Sequence, residues 1–217
     1  SGVLLERSSK GSLARRIILK IHLLAAALMA ALSAAVAAQG VGACVVQSVD
    51  GRATVFAPGA GRHDAVVGLG IGANATLRTR AETRVTLLCP DNLRVVVGPA
   101  TEISVARLVS GGPRPVALRL MRGIAGFLFD GEGDGVQVST PSAVAAVRST
   151  EWALRVQGGA TAAFAREGAV FVVGDTGTVR LGAGDGVDVT PGGEVGAVVQ
   201  WGQARIDLFA QLLGADW

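Results

Sequence analysis

The chain has 217 residues, half of them hydrophobic, with 31 glycines, six phenylalanines, three tryptophans and no tyrosine. This length suits one domain with a leader, and abundant glycine beside many valines favours short strands and tight turns over a helical bundle. Five of the 20 basic residues and only one of the 17 acidic residues precede Ala38, so the remainder carries a net charge of −1. That balance gives no electrostatic case for binding nucleic acid.

The N-terminal segment has the layout of an export signal. Arg15, Arg16 and Lys20 precede an apolar run rich in alanine and leucine, which closes in small residues near Ala38. A charged start, an apolar centre and a small-residue end are typical of a secretory signal peptide. We therefore predict a signal peptide over residues 1–38 and a periplasmic or secreted protein. The paired arginines also resemble the twin-arginine export motif.

A retained membrane anchor is the alternative interpretation of the same segment. A spanning helix needs about 20 apolar residues. The run that starts at Ile17 reaches that length only by including Lys20 and His22. In that case the protein would be anchored in the inner membrane.

Cys44 and Cys89 are the two cysteines of the chain. In an exported protein they could form a disulfide, or they could be two small buried hydrophobic residues. In a third interpretation, residues 41–44 form a lipobox and Cys44 is acylated, which would attach the protein to a membrane. Contact with a membrane is expected only through such a lipid or through an uncleaved leader.

Short apolar segments follow the leader at intervals of about 8–12 residues, with turn signals between them. The predicted strands cover 43–47, 53–56, 76–79, 85–89, 93–97, 103–108, 116–121, 126–129, 136–139, 143–147, 152–156, 162–166, 170–173, 178–181 and 187–189. This pattern predicts an all-β domain over residues 39–199, either a β-sandwich or a short β-solenoid. Asp50-Gly51, between the first two segments, predicts a hairpin turn.

The C-terminal segment, residues 200–217, has a different period. Trp201, Ile206, Phe209 and Leu213 lie near helical spacing, which predicts an amphipathic helix over residues 200–213. One apolar stripe is enough for such a helix to pack on its own domain. A partner or a membrane surface is the alternative.

Three stretches imitate sites for chemistry. Residues 130–135 alternate acidic residues with glycine like the start of a calcium loop, but Pro141 stands where the loop needs a bidentate glutamate. Residues 68–73 match a dinucleotide-binding fingerprint, but a predicted strand follows them instead of a helix. His63 is the one histidine beyond the leader, and no other zinc ligand clusters with it. We therefore predict no catalytic residue, no metal site and no cofactor.

One stretch carries a family resemblance. Thr140-Pro141, a small apolar run to Val147, Arg148-x-Thr150 and then Trp152 resemble the signature of the FecR domain family. Gly168 resembles a later turn of that pattern, and the likeness extends over about residues 44–199. Ser149 stands where the family usually has glycine. At this corner we expect Arg148 to make structural hydrogen bonds, because guanidinium donors suit carbonyls and carboxylates.

The resemblance implies a periplasmic interaction module without catalysis of its own, whose partner is an unidentified envelope protein or glycan. It also implies an alternative, a membrane-anchored regulator of sigma-factor signalling. An envelope hydrolase is the least favoured function, because the sequence shows no constellation of acid and base residues.

Overall fold

The strands form two facing sheets that share one long strand. The computed structural model describes residues 44–107, 116–130, 135–148, 150–215 and 217, and these ranges contain 17 strands and one α-helix. Neighbouring strands are antiparallel except for one parallel pair, β9 with β10. The leader, residues 1–38, lies outside the described ranges.

In spatial order, sheet A contains β4 (Gly70–Ile71), β1 (Cys44–Asp50), β6 (Arg84–Leu88), β7 (Arg94–Val97), the second half of β9 (Val116–Phe129), β12 (Thr150–Gln157), β13 (Ala160–Ala165), β16 (Asp185–Val189) and β17 (Val199–Gln200). Sheet B contains β3 (Gly61–Asp64), β2 (Ala53–Ala57), β5 (Thr76–Thr79), β8 (Glu102–Arg107), the first half of β9, β10 (Val136–Ser139), β11 (Val144–Val147), β14 (Val170–Gly174) and β15 (Gly177–Leu181).

Strand β9 passes from sheet B into sheet A. Its first half pairs with β8 and β10, and its second half pairs with β7 and β12. The bend lies at Gly123, where φ is +89° and a Cβ would lie 2.2 Å from Thr101 Oγ1. That hydroxyl accepts a 2.9 Å hydrogen bond from the Ile124 N–H. The two strands predicted over 116–121 and 126–129 are therefore one strand.

The remaining chain is laid down as hairpins that alternate between the sheets. Hairpins β10–β11 and β14–β15 lie in sheet B, whereas β12–β13 and β16–β17 lie in sheet A. The hairpin predicted at Asp50-Gly51 is wrong, because β1 pairs only within sheet A and β2 only within sheet B. There the chain crosses between sheets, and the Arg52 N–H donates to Thr83 Oγ1 over 3.0 Å.

The main hydrophobic core lies between the two sheets and follows the alternation of the strands. Trp152, Leu154 and Val156 of β12 all point into it, as their shared face predicted. The Trp152 ring stacks on Phe127 with centroids 4.4 Å apart. The two-sheet arrangement confirms an all-β fold and selects the sandwich between the two predicted architectures.

A second, smaller core lies on the outer face of sheet A. Helix α1 (Gln203–Leu213) packs there through Phe209 and Leu213, and Trp201 and Trp217 flank it. The helix begins three residues later than predicted, because Val199 and Gln200 pair with β16 as strand β17. The prediction that this helix packs on its own domain is confirmed. None of the helices in the described ranges has the length and apolar character that crossing a membrane requires.

Candidate interaction site

The Thr140-Pro141 signature forms the turn of hairpin β10–β11. The Ala143 N–H donates to Thr140 Oγ1 over 2.9 Å, and the Thr140 N–H donates to the Ala143 carbonyl over 2.8 Å. The Thr140 and Ser142 hydroxyls each lie 2.7 Å from Thr161 Oγ1, which is buried on β13 of the other sheet. This hydroxyl cluster ties the hairpin of sheet B to sheet A, so the Thr-Pro signature has a structural role.

The second half of the signature forms a corner between the sheets. Val147 ends β11 in sheet B, and Thr150 begins β12 in sheet A. The Thr150 hydroxyl accepts from the Ala169 N–H over 3.3 Å and lies 3.2 Å from the Ala169 carbonyl. Gly168, at φ +72°, turns the chain so that Ala169 can make this contact.

Arg148 lies at this corner, and the described residues give no support for its expected structural role. Its side chain is exposed and makes no hydrogen bond or ion pair with any described residue. The corner is held by backbone groups, since the N–H groups of Arg166 and Glu167 both donate to the Glu151 carbonyl. The described residues therefore provide no partner for the Arg148 guanidinium. Ser149, the departure from the family pattern, lies outside the described residues.

Cys44 and Cys89 are joined in a disulfide whose Cα atoms lie 4.0 Å apart. Val45 of β1 faces Leu88 of β6, which places the two cysteines directly opposite each other, and both are buried. Because both sulfur atoms are bonded to each other, Cys44 has no thiol to acylate. The structure therefore contradicts the lipobox interpretation.

Among the described residues, the other candidate sites lack the neighbouring groups that catalysis or ligand binding would require. His63 is exposed on edge strand β3, with Nε2 2.7 Å from the Ala60 carbonyl. Residues 68–73 lead into strand β5, so the helix of a dinucleotide site is replaced by a strand. Most of the acidic stretch 130–135 lies outside the described residues. Among those described, no three His, Cys, Asp or Glu side chains converge in a way that suits a metal ion.

A cleft of about 260 Å³ lies between α1 and sheet A. It is lined by Arg155, Gln157, Ala160, Thr161, Ala162, Asp188, Arg205, Leu208 and Phe209. Arg205 forms a two-point ion pair with Asp188, and its guanidinium carbon lies 3.7 Å from the Trp201 ring centroid. The charges of the cleft are therefore largely engaged with each other, which leaves it poorly suited to a ligand.

The outer face of sheet B differs from that of sheet A because no described segment covers it over strands β10, β11, β14 and β15. We call this surface the open face. Its outward residues are Gln137, Ser139, Val144, Ala146, Phe171, Val173, Thr178 and Arg180. Phe171 is 48% exposed and Val173 is 43% exposed. The face combines an apolar centre with the cationic Arg180 at its margin and contains no acidic residue.

Sequence reasoning missed the open face for a physical reason. Residues 170–173 read Val-Phe-Val-Val, which is apolar on both faces of the strand and is typical of a strand buried on both sides. Only the pairing of β14 with β11 and β15 places two of these side chains in solvent. Likewise, nothing local in the sequence indicates that Thr161 meets Thr140 and Ser142.

The described strands form an all-β domain of two sheets, and part of this domain matches a known family model. Residues 75–171 match the family model described as FecR protein, a range that includes all of the signature residues, from Thr140 to Gly168. The predicted resemblance to the FecR domain family is therefore confirmed over this range. The strands continue on both sides of the matched range.

Two solved structures, both of candidate anti-sigma factors from Parabacteroides distasonis, resemble this fold. Their TM-scores are 0.54 and 0.53, with 17% and 18% sequence identity. Each match covers 63% of this chain and 64% of the other, so this chain spans somewhat less than two thirds of those proteins. At that identity the likeness concerns the fold alone. No curated protein matches the chain.

Proposed function

We propose that this chain is the extracytoplasmic part of a FecR-type regulator of sigma-factor signalling. It works by docking onto other proteins and has no catalysis of its own. The FecR match over residues 75–171 is the observation that carries this proposal. The fold shared with two candidate anti-sigma factors supports it.

The proposed location outside the cytoplasm is supported by the Cys44–Cys89 disulfide. Disulfides persist in oxidising compartments and are rare in the cytosol, where thiols are kept reduced. The leader adds a second, independent argument from sequence, because its charged start and apolar run direct a chain to the membrane. An uncleaved leader fits an inner-membrane regulator that passes a signal across the membrane.

A stand-alone exported module is the second candidate, and the small residues that close the leader favour it. A cleaved leader would release the β domain into the periplasm, where it would act on an envelope protein or glycan. Mass spectrometry of the mature N-terminus separates the two candidates. A start near Gln39 supports release, whereas an intact leader supports the anchored regulator.

The regulatory role is tested by deleting the gene in the native host and sequencing its transcripts. We expect a set of genes that share one alternative sigma-factor promoter to change together, and a plasmid copy of the full chain to restore their expression. A second plasmid copy carries Cys44→Ser and Cys89→Ser. It lacks the disulfide but keeps every outward side chain, so it shows how far restored expression depends on the stability of the fold. Unchanged transcription in the deletion strain would contradict the proposed regulation.

A further inference from the structure

The sandwich has four sheet edges, and one of them is open to strand addition. The edges of sheet A, β4 and β17, are only two residues long. One edge of sheet B, β3, reads Gly-Arg-His-Asp, so charged side chains protect it. The other edge, β15, has five residues, Gly-Thr-Val-Arg-Leu, and pairs with β14 alone. Edge β15 is therefore the longest and the least protected in the described part of the chain.

Edge β15 borders the apolar centre of the open face. Across the strands, Phe171 faces Arg180, and Val173 faces Thr178. On the other side of β14, Phe171 faces Ala146 and Val173 faces Val144. A strand added to β15 would extend these two rows. One of its side chains would lie beside Arg180, and the next outward one would lie beside Thr178, which separates it from Val173.

The charged residues on the open face and at its margins indicate which kind of partner would bind there. Arg119, Arg148 and Arg180 are exposed, lie on or beside the open face, and form no ion pair with the described residues. By contrast, Arg78 and Arg122, farther along sheet B, are both paired with Glu102. Three guanidinium groups without an ionic partner among the described residues therefore border an apolar patch whose named outward residues include no acid, and a partner with carboxylates would complement them.

From these observations we propose that β15 and the open face bind an extended acidic segment of another protein, which adds to sheet B as a further strand. Backbone hydrogen bonds to β15 supply the affinity, and the segment's outward side chains supply the specificity. A carboxylate pairs with Arg180, and an apolar residue packs beside Thr178. This proposal rests on the proposed function, because it locates the surface through which the regulator docks.

The test uses the full chain and two labelled peptides of about ten residues, a common strand length with allowance for frayed ends. One peptide repeats Glu-Thr-Val-Thr, so that glutamate and valine alternate along one face of the strand, and the other has lysine in place of each glutamate. Fluorescence anisotropy should show that the glutamate peptide binds about tenfold more tightly than the lysine peptide, and that salt weakens its binding. Hydrogen exchange should show new protection of residues 177–181 and none in β3.

Arg180→Glu should reverse the preference between the peptides, and Phe171→Glu should weaken binding of the glutamate peptide about tenfold. Arg94→Glu is the matched control, because Arg94 is an exposed, unpaired arginine on β7 of sheet A. It should leave binding unchanged. Equal binding of the two peptides, no binding, or protection of β3 would overturn the proposal. So would a dimer in sedimentation that Phe171→Glu abolishes, since a second copy would then occupy the edge.

The host experiment separates this proposal from the proposed function. If deletion changes sigma-dependent transcription and an Arg180→Glu copy restores it fully, the docking surface is wrong while the regulatory role stands. If deletion changes nothing, the regulatory role fails, and peptide binding still decides whether β15 accepts an acidic strand.

Discussion

The two outer faces of the sandwich are built from strands of the same alternating kind, yet one is covered by the chain and the other is open. On sheet A, Gly126 and Gly186 leave depressions that receive indole rings. A Cβ at Gly126 would lie 2.3 Å from Trp217, and one at Gly186 would lie 2.0 Å from Trp201. On the open face, Phe171 and Val173 project into solvent. Whether the chain covers a face therefore depends on whether that face has depressions that accept side chains, as well as on its hydrophobicity.

The largest expected difference between the faces is in the cost of removing an aromatic ring. Phe209 is 1% exposed beneath α1, and its ring lies edge-on to Trp201 with centroids 5.0 Å apart. Phe209→Ala should lower the free energy of unfolding by about 3–5 kcal/mol. Phe171→Ala, on the open face, should cost about 1 kcal/mol or less. Urea denaturation measures both, and equal losses would show that the open face is covered in solution.

Filling one of the depressions on sheet A should lower the free energy of unfolding less than removing an aromatic ring that covers this sheet. Gly186→Ala places a methyl group against Trp201 and should destabilise the fold by about 1–3 kcal/mol through overpacking. Gly72→Ala is the matched control, because its Cβ would meet nothing within 4 Å. It should change the free energy of unfolding by about 0.5 kcal/mol or less. If thermal unfolding shows the same stability for both variants, Trp201 does not pack on sheet A as described.

At the corner between β11 and β12, Thr150 should contribute to the stability of the fold, whereas the exposed Arg148 should not. Thr150→Val removes the hydroxyl that contacts both backbone groups of Ala169, and it should cost about 1–2 kcal/mol. Arg148→Ala should change stability by about 0.5 kcal/mol or less, because its side chain is in solvent. Urea denaturation of both variants checks this expectation. A large loss in Arg148→Ala would restore the hydrogen-bonding role that the sequence suggested.

The smallest difference in stability between the two faces is expected when one arginine on each face is replaced by alanine. Arg205 pairs with Asp188 and lies over Trp201 on the covered face, so Arg205→Ala should cost about 1 kcal/mol. Arg180 has no ionic partner among the described residues, so Arg180→Ala should leave stability unchanged within about 0.5 kcal/mol. Repeating the urea titration at high salt sharpens the comparison, because screening should weaken the Asp188 pair and leave Arg180→Ala unaffected.

Local patterns predicted the strands well but not their partners. Strands β5 and β10 have the predicted bounds, and most others begin or end within two residues of the predicted position. Strands β3, β4 and β17 were missed. Strands β4 and β17 have only two residues, and β3 reads Gly-Arg-His-Asp, which has no apolar residue to mark a buried face. The turn signal at Asp50-Gly51 correctly marked the end of β1, but the chain changes sheets there instead of forming a hairpin.

The candidate site was predicted in part. The signature residues were identified as a group, because the family pattern is contiguous along the chain. Their roles were not, since Thr140 acts through Thr161 and Thr150 acts through Ala169, and both partners lie about 20 residues away. The disulfide was one of three interpretations, and only the register of β1 against β6 places Cys44 opposite Cys89.

By itself, the sequence determined that this is an all-β body with one C-terminal helix, and it identified the family signature. These properties follow from side-chain period and from short contiguous motifs, which are local. Only the tertiary structure decided which strands share a sheet, which outer face α1 covers, and that Arg148 and the outer edge of β15 have no partner among the described residues. Strand pairing depends on backbone hydrogen bonds, which are the same for nearly every residue type, so distant partners leave no mark in the local sequence.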